Sequence, residues 1–325
     1  MSIIKKILVL VVVLCTGLLF VGCEKGPKTK VGILQLVTHT ALGAAKDGFV
    51  QGLKDAGYED GKNIQIIFRN PEADTATLNQ MAVELVRSCD IVLAIATPAA
   101  TALQSAAEKE GKDIPILFTA VTDAVDAKLV ESNEKPGGNI TGTSDMNPVV
   151  DQIDLMKELL PEIKKFGIVY NISERNSIVQ AGLAKDEAKK QGIEVIEKTA
   201  SDVQSLPSVV QQLINDGAEA LYLPTDNLIA SNMALVVDKC EAAKIPTICG
   251  EGGMVENGGT ITYGISYFNL GKQTAAMAVK ILTGTKPADI PVGFQDATES
   301  DFSVNNESLE KLGITLPESL KNKIK

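Results

Sequence analysis

The sequence predicts an α/β fold of two similar lobes, each built on a doubly wound parallel sheet, with a hinge and a cleft between them. Three observations predict it. Short β-rich runs alternate with amphipathic helical segments, which is the order of βαβ units. Aromatic residues make up only 4% of the 325 residues, as suits strands that small aliphatic side chains bury on both faces. The same pattern of elements also occurs twice along the chain.

The charge balance excludes one class of partner. The chain carries 31 lysine and arginine residues against 41 aspartate and glutamate residues, a formal net charge of -10 at pH 7. Proteins that bind nucleic acid neutralise phosphates with a basic surface, and this sequence has no broad surface of that kind. We therefore expect no nucleic-acid partner.

The first residues have the pattern of an export signal. Two lysines precede sixteen uncharged residues, 7–22, and Cys23 follows. This stretch is short for a bilayer span, which needs roughly 20 apolar residues, although an uncleaved membrane anchor is the alternative. The residues Phe-Val-Gly before Cys23 resemble the lipobox of bacterial lipoproteins. We expect a lipoprotein signal peptide over 1–22, a lipid such as palmitate on Cys23, and a linker over 23–30.

The first unit after the linker is repeated later in the chain. Gly32 and Gly57 correspond to Gly167 and Gly192 at one offset of 135 residues. Around these glycines each copy predicts a strand, an amphipathic helix and a second strand, at 31–36, 41–56 and 63–68 in the first copy and at 166–170, 178–191 and 193–197 in the second. The shared order predicts the same βαβ unit in both copies.

The next unit repeats more closely. The predicted strands 91–96 and 220–224 are related by an offset of 128 residues, as are the threonines that follow or end them, Thr97 and Thr225. The preceding helices share apolar positions at the same offset: Leu78, Met81, Ala82, Leu85 and Val86 in one, and Leu206, Val209, Val210, Leu213 and Ile214 in the other. Any doubly wound sheet repeats its units, but matching order, ends and offsets favour two duplicated lobes.

The two predicted lobes exchange chain segments. We expect the first lobe to comprise 31–143 and about 266–291, and the second to comprise 144–265 and about 292–325. The later segments would cross back to complete the sheets. Crossovers of that kind act as a hinge.

The loops at the carboxyl ends of the strands should line the cleft, because open parallel sheets bind ligands there. They contain no GxGxxG and no Walker phosphate loop, so we expect no nucleotide cofactor. The sequence has one histidine, His39, which excludes a zinc site built from several histidines. No nucleophile with an adjacent base is visible. We expect no metal site and no enzymatic activity.

Two corresponding strand ends carry different chemistry. One continues as Thr97, Pro98, Ala99 and Ala100, a helix start whose small residues leave backbone N–H groups open to a carboxylate. The equivalent end reads Thr225, Asp226 and Asn227, which supplies a carboxylate and an amide. Donors on one lobe and an acceptor on the other match a zwitterion better than a sugar. Asp226 fits a plain helix cap equally well.

Further polar residues lie at other predicted strand ends. His39 fits a ligand contact and an ordinary exposed histidine equally well. Several carboxylates at one rim are compatible with hydrolase chemistry, but acidic residues are common caps. The remaining candidate ligand-binding residues are Gln35, Asp123, Ser144, Asp145 and Glu251.

Seven segments carry a resemblance to a known family. The first runs from Gly32 through Gly57, and the others read ATPAA at 96–100, KPGGNITGTSD at 135–145, PTDNLIAS at 224–231, MVENGG at 254–259, YGISYFNLG at 263–271 and LGITLPES at 312–319. In combination they resemble the tryptophan-type substrate-binding lipoproteins of ABC transporters. The resemblance implies a type I periplasmic-binding-protein fold that captures an amino acid, often an aromatic one. It also implies delivery to a membrane permease driven by a cytoplasmic ATPase.

The resemblance implies roles for the candidate residues. The ligand carboxylate would meet the turn 97–100, and the ammonium would meet Asp226 with help from Asp145 or Asp123. Gln35 and His39 would lie at the mouth of the first lobe. We therefore expect a monomeric, extracytoplasmic binding protein, tethered by lipid to the bacterial cell membrane. The alternatives are a sugar or nucleoside binder of the same fold and an extracytoplasmic enzyme with a Rossmann-like sheet.

An aromatic ligand would pack against rings of the protein. The candidates near predicted strand ends are Tyr170, Tyr222, Tyr263 and Phe118. Aromatic residues at such positions belong more often to the core than to a cleft.

Overall fold

The computed structural model describes residues 28–295 and 301–323, and it contains two β-sheets. The predicted signal peptide and Cys23 lie outside the described residues. The first sheet consists of β1 (Thr29–Gln35), β2 (Ile64–Arg69), β3 (Ile91–Ile95), β4 (Ile116–Val121) and β5 (Ile140–Ser144). The second consists of β6 (Lys165–Asn171), β7 (Glu194–Ala200), β8 (Leu221–Leu223), β9 (Thr247–Cys249), β10 (Ile261–Gly264) and β11 (Asp301–Val304).

Helices cover the faces of both sheets. Those between the strands of the first sheet are α1 (Thr40–Asp55), α2 (Thr75–Ser88) and α3 (Thr97–Glu110). Helix α4 (Val149–Leu159) precedes the second sheet. The helices between the parallel strands of that sheet are α5 (Arg175–Lys190), α6 (Leu206–Asn215), α7 (Asn227–Ala230), α8 (Met233–Ala243) and α9 (Gly252–Glu256). The later helices are α10 (Tyr267–Leu282), α11 (Asn306–Leu312) and α12 (Glu318–Lys321), with a 3-10 turn at Pro287–Asp289.

Both sheets have the same strand order. The first runs β2-β1-β3-β4-β5, and the second runs β7-β6-β8-β9-β10-β11 when read from the matching edge. The predicted α/β fold with two similar parallel-sheet lobes is confirmed. Strand β11 pairs antiparallel with β10, an edge strand that the sequence pattern does not predict.

Glycine recurs in β1 and β6 because a helix packs directly on each strand. A Cβ atom on Gly32 would lie 3.1 Å from a methyl carbon of Leu85 in α2, and one on Gly167 would lie 3.2 Å from a methyl carbon of Leu213 in α6. Such contacts are tighter than close-packed interiors accept without adjustment. Leu85 and Leu213 are themselves equivalent in the repeat. The repeated glycines and leucines therefore reflect one packing contact that the chain makes twice.

Helix α10 follows β10 of the second sheet in sequence, but it packs on the first lobe. Glycine permits its close approach to α1. A Cβ on Gly48 would lie 1.9 Å from the carbonyl oxygen of Phe268, and one on Gly271 would lie 2.0 Å from that of Ala45. After α10, Gly293 still pairs with Thr143 at the end of β5.

The chain passes between the lobes after β5, after β10, and between Gly293 and β11. The carboxyl ends of the parallel strands of both sheets consequently face one cleft. Within the two described ranges, no helix combines the length and the apolar character needed to cross a membrane. Cys89, Cys240 and Cys249 are free thiols.

Candidate functional site

A small enclosed cavity lies between the lobes. Its volume, measured as the space open to the centre of a water molecule, is about 10 Å³, so the lobes close tightly around it. Its lining comes from both lobes and from the segments that connect them: His39, Leu42, Ala120 and Thr122 from the first lobe, Asp145 and Tyr267 from the connections, and Asn176, Thr225, Asp226, Asn227, Ala230 and Glu251 from the second lobe. Because these residues follow the carboxyl ends of strands, the cavity is the candidate ligand site.

A wider groove on the first lobe is a weaker candidate. It lies beside Ile116 and Ile140, the first residues of β4 and β5, and thus at the amino ends of the strands. No residue of the second lobe lines it. A ligand there would not bridge the lobes.

Asp145 lies at the point where the chain leaves the first sheet. Its side chain is buried and accepts hydrogen bonds from the Thr122 hydroxyl at 3.1 Å and the Tyr267 hydroxyl at 2.8 Å. Burial raises the pKa of Asp145 above its ordinary value, and the two hydrogen bonds oppose that effect. This carboxylate therefore gains from a nearby positive charge.

Glu251 follows β9 and caps α9. One carboxylate oxygen accepts from the Gly253 N–H, while Oε1 is buried and has no hydrogen-bond partner among the described residues. The residue is 2% exposed. Burial raises the pKa of Glu251 to about 7. The cavity thus contains one carboxylate oxygen that the protein itself does not satisfy.

The carboxylate of Asp226 accepts more hydrogen bonds from the protein than that of Glu251. Its Oδ2 accepts from the Asn171 N–H and the Ser177 hydroxyl, both at 2.7 Å, and its Oδ1 accepts from the Ile229 N–H at 3.0 Å. The side chain is 0% exposed, and burial raises its pKa. Asp226 lines the cavity, but its hydrogen bonds identify it first as the N-cap of α7.

Asn227 connects a buried carboxylate to the histidine of the other lobe. Its backbone N–H and its amide NH₂ both donate to Oε2 of Glu174, while Leu228 N–H donates to Oε1. Its Oδ1 lies 3.2 Å from Nε2 of His39. Burial lowers the pKa of His39 to about 4, so the imidazole is neutral at pH 7. His39 Nδ1 is buried, without a hydrogen-bond partner in the described part of the chain.

Two further unpaired polar atoms belong to lining residues of the second lobe. The Asn176 amide NH₂ donates to the Thr225 carbonyl oxygen at 2.8 Å, which leaves Asn176 Oδ1 as an acceptor. Neither that atom nor Thr225 Oγ1 has a hydrogen-bond partner within 28–295 and 301–323. Buried polar groups are normally paired, so a group of unpaired ones around one cavity indicates a ligand site.

Seven of the predicted site residues do not line this cavity. Gln35 donates to the Val37 carbonyl oxygen, Ser144 to that of Thr122, and Asp123 accepts from two N–H groups of its own turn. Thr97, Ala99 and Ala100 are buried in the first turn of α3, and Pro98 lines a separate groove between the lobes. The five that do line it are His39, Asp145, Asp226, Asn227 and Glu251.

The ring candidates taken from the sequence are core residues. Phe118 and Tyr222 are fully buried, and Tyr222 donates to Gln152. Tyr170 donates to Glu197, and Tyr263 packs against Phe302. The aromatic residue that lines the cavity is Tyr267.

Sequence reasoning missed Glu174, which holds Asn227, and seven residues that line the cavity: Leu42, Ala120, Thr122, Asn176, Thr225, Ala230 and Tyr267. Asn176 and Glu174 fall in the predicted loop after β6, and Thr225 in that after β8, so their position along the chain was available as a signal. Tyr267 had no such signal, because it begins a helix that returns to the first lobe.

Two polar contacts join the lobes outside the cavity. The Arg175 guanidinium pairs with both carboxylate oxygens of Asp126, with Nη2 at 2.6 Å from Oδ1. On another side, the Asn257 amide donates to the Thr40 hydroxyl at 2.9 Å. Each contact joins the two lobes and therefore depends on their being close together.

Comparison with known proteins places the chain in a family of transport proteins. Residues 30–324 match the family of ABC transporter substrate binding proteins. A tyrosine-binding protein of Clostridioides difficile (strain R20291) is 42% identical over 283 residues, which are 87% of this chain and 80% of that protein.

Two solved structures are informative about the lobes. The ABC domain in complex with L-Trp from Streptococcus pneumonia is 37% identical, covers 91% of this chain and 98% of its own, and superposes with a TM-score of 0.86. The ligand-free, open structure of CD0873, a substrate binding protein with adhesive properties from Clostridium difficile, is 41% identical with the same coverage, but its TM-score is 0.69. At similar identity, this chain superposes better on the L-Trp complex than on the ligand-free, open structure.

Proposed function

This chain belongs to the family of ABC transporter substrate-binding proteins, and we propose that it captures an aromatic amino acid as a zwitterion in the cavity between its lobes. The family consists of binding components and not of enzymes, and it acts outside the cytoplasm. The fold is the type I periplasmic-binding-protein fold that the sequence predicts. An aromatic ligand is supported by the relatives named for tyrosine and solved with L-Trp.

The ammonium of the ligand is bound by acidic residues of the cavity. Glu251 has a buried, unpaired carboxylate oxygen, and Asp145 is a second buried carboxyl in the same lining. A positive group between them offsets the cost of burying their charge. This assignment favours Glu251 and Asp145 over Asp226, because three protein groups already donate to Asp226.

The carboxylate of the ligand needs donors, and the first turn of α1 supports that role. The first N–H groups of an α-helix have no intrahelical acceptor, and the positive end of the helix dipole favours an anion. Helix α1 reaches the cavity at Leu42, in its first turn. The turn 97–100 remains a prediction for the same role.

The energy of such a site is adequate for a transport receptor. An aromatic side chain that buries about 150 to 250 Å² contributes roughly 4 to 6 kcal/mol at about 25 cal/mol per Å². Micromolar affinity corresponds to about 8 kcal/mol. The charged groups therefore need to supply only a modest remainder after the costs of ordering.

The proposal includes closure, delivery and anchoring. The first lobe would comprise 31–143 and 266–291, and the second 144–265 and 292–325. A ligand held by both lobes binds the closed state more tightly than the open state, and only this difference in affinity drives closure. We propose that the closed monomer is recognised by a permease with its ATPase.

Lipid on Cys23 would hold the protein at the membrane, since acyl chains contribute about 0.8 kcal/mol per buried methylene. Replacing Cys23 by Ser should then release the protein from membranes and abolish palmitate labelling; unchanged fractionation would refute the anchor.

The unpaired acceptors around the cavity are the observation that carries the proposal. It is tested by a thermal-shift screen against all amino acids, common sugars and nucleosides. A ligand at a hundredfold excess over its Kd stabilises the folded state by about 2.7 kcal/mol. We expect stabilisation by L-tyrosine or L-tryptophan. Stabilisation by a sugar or nucleoside alone would contradict the proposal.

A further inference from the structure

We propose that His39 is a specificity-determining residue, which accepts a hydrogen bond from the side chain of the ligand and selects rings that carry a donor, such as a phenol or an indole, over a plain phenyl ring. This inference rests on the proposed function and deepens it. It concerns the atom of the cavity that the first lobe leaves unpaired, His39 Nδ1.

Hydrogen bonds from the second lobe determine which imidazole nitrogen carries the proton. The amide NH₂ of Asn227 donates to Glu174, whose two carboxylate oxygens also accept backbone N–H groups. Each Glu174 oxygen already accepts a backbone N–H, so the amide NH₂ complements it, while burial raises the pKa of Glu174 to about 8. In this orientation Asn227 Oδ1 is the atom that faces His39, and it is an acceptor. His39 Nε2, at 3.2 Å from it, is then the donor.

The other ring nitrogen is consequently a bare acceptor. Burial keeps the imidazole neutral at pH 7 by lowering its pKa to about 4, and a neutral imidazole with its proton on Nε2 has only a lone pair on Nδ1. His39 occupies the N-cap of α1, yet its side chain makes no capping hydrogen bond. Nδ1 therefore lacks a partner among the described residues, although it is buried beside the cavity.

The ammonium group is not needed to satisfy His39. An ammonium has three N–H donors. The cavity offers it the carboxyls of Glu251 and Asp145, and the second lobe adds the unpaired Asn176 Oδ1 and Thr225 Oγ1. His39 lies across the cavity on the first lobe, so its Nδ1 is the acceptor left for a fourth donor. A phenol O–H or an indole N–H supplies one, whereas the phenylalanine ring does not.

The expected discrimination follows from the cost of an unpaired buried group. When phenylalanine excludes water without supplying a donor, His39 Nδ1 remains unpaired, which corresponds to a loss of about 10- to 100-fold in affinity. We therefore expect L-tyrosine or L-tryptophan to bind that much more tightly than L-phenylalanine. In a His39→Leu variant the preference should fall to severalfold or less, because only the donor-bearing rings lose a partner, whereas loss of the contact between His39 and Asn227 weakens binding of all three amino acids alike.

One measurement needs no substitution, because His39 is the only histidine of the 325 residues. The full-length protein labelled with ¹⁵N in the histidine ring should give one pair of ring-nitrogen signals. Without ligand, Nδ1 should have the shift of an unprotonated nitrogen and Nε2 that of a protonated one. L-Tyrosine or L-tryptophan should move the Nδ1 signal in the direction of an accepted hydrogen bond, and L-phenylalanine should not.

The outcomes separate this inference from the proposed function. Equal affinity for the three amino acids, a protonated Nδ1, or an equal loss of tyrosine and phenylalanine binding in His39→Leu would overturn the role of His39 alone. The last result would mean that His39 binds a group common to all amino acids. Failure of every aromatic amino acid to bind would overturn the proposed function and this inference with it.

Discussion

The Tyr267 hydroxyl donates a hydrogen bond of 2.8 Å to Oδ2 of Asp145, and this bond joins two of the segments that connect the lobes. Asp145 directly follows β5, and Tyr267 is the first residue of α10. Both residues also line the cavity. The segments that connect the lobes and the ligand site therefore share side chains. A ligand that contacts Asp145 would contact a connecting segment directly.

Replacing Glu251 by Gln should weaken amino-acid binding by about 2 to 3 kcal/mol, or roughly 30- to 160-fold, because a charge-assisted hydrogen bond becomes a neutral one. Titration calorimetry with L-tyrosine and L-tryptophan measures the effect. The exposed Glu162→Gln provides a control with the same change in charge and should leave affinity unchanged. Equal affinities for all three proteins would remove Glu251 from the site.

Ligand affinity should depend on pH through Glu251. Its pKa is raised to about 7 by burial, and a bound ammonium would lower that pKa again, so binding releases a proton in the range below pH 7. Affinity should therefore be highest near pH 8, where Glu251 is ionised and the ligand still carries its ammonium, and should fall as the pH drops to 6, by at most about tenfold per pH unit. Calorimetry in buffers of different ionisation enthalpy detects the released proton. In Glu251→Gln the dependence should disappear; if it persists, another group is titrating.

Replacing Asp226 by Ala should act mainly on stability. The variant leaves the Asn171 and Ile229 N–H groups and the Ser177 hydroxyl without their acceptor, which costs about 2 to 4 kcal/mol of unfolding free energy. Urea denaturation measures this loss. Asp238→Ala, at an exposed position of α8, should change it by less than about 0.5 kcal/mol. A large loss of affinity with unchanged stability would instead make Asp226 the ammonium partner.

The ion pair of Asp126 with Arg175 should slow ligand release. The pair joins the lobes at an exposed rim, so it contributes only when the cleft is closed, and salt weakens it. In Asp126→Asn the dissociation rate should rise by no more than about fivefold at low salt, with little change in association rate. The exposed Asp151→Asn is the matched control in stopped-flow measurements. An unchanged dissociation rate at low ionic strength would exclude this contact as a latch.

The fold could be predicted because its determinants are local and repeated. The offsets that relate Gly32 to Gly167 and Leu85 to Leu213 reflect a contact between a strand and the helix of the following βαβ unit, and this contact recurs in both lobes. The antiparallel strand β11 could not be predicted in this way. It follows the last crossover and has no counterpart in the first sheet.

The site could be predicted only at the level of loops. Asp123 and Asp145 both follow strands of the first sheet, yet the first caps its own turn and the second lines the cavity. The difference lies in side-chain direction within each loop, which residue spacing does not encode. Tyr267 and the unpaired state of Asn176 and Thr225 depend on contacts between distant segments, so composition and periodicity carry no signal for them.

The most direct test compares L-tyrosine with its analogue 3-(4-hydroxyphenyl)propionic acid, which keeps the ring, the hydroxyl and the carboxylate but lacks the ammonium. Calorimetric titration of the protein should give micromolar or tighter binding of L-tyrosine. The analogue should bind at least about 100-fold more weakly, because Glu251 and Asp145 would be buried without a positive partner. Equal binding of both compounds would contradict recognition of a zwitterion between the lobes.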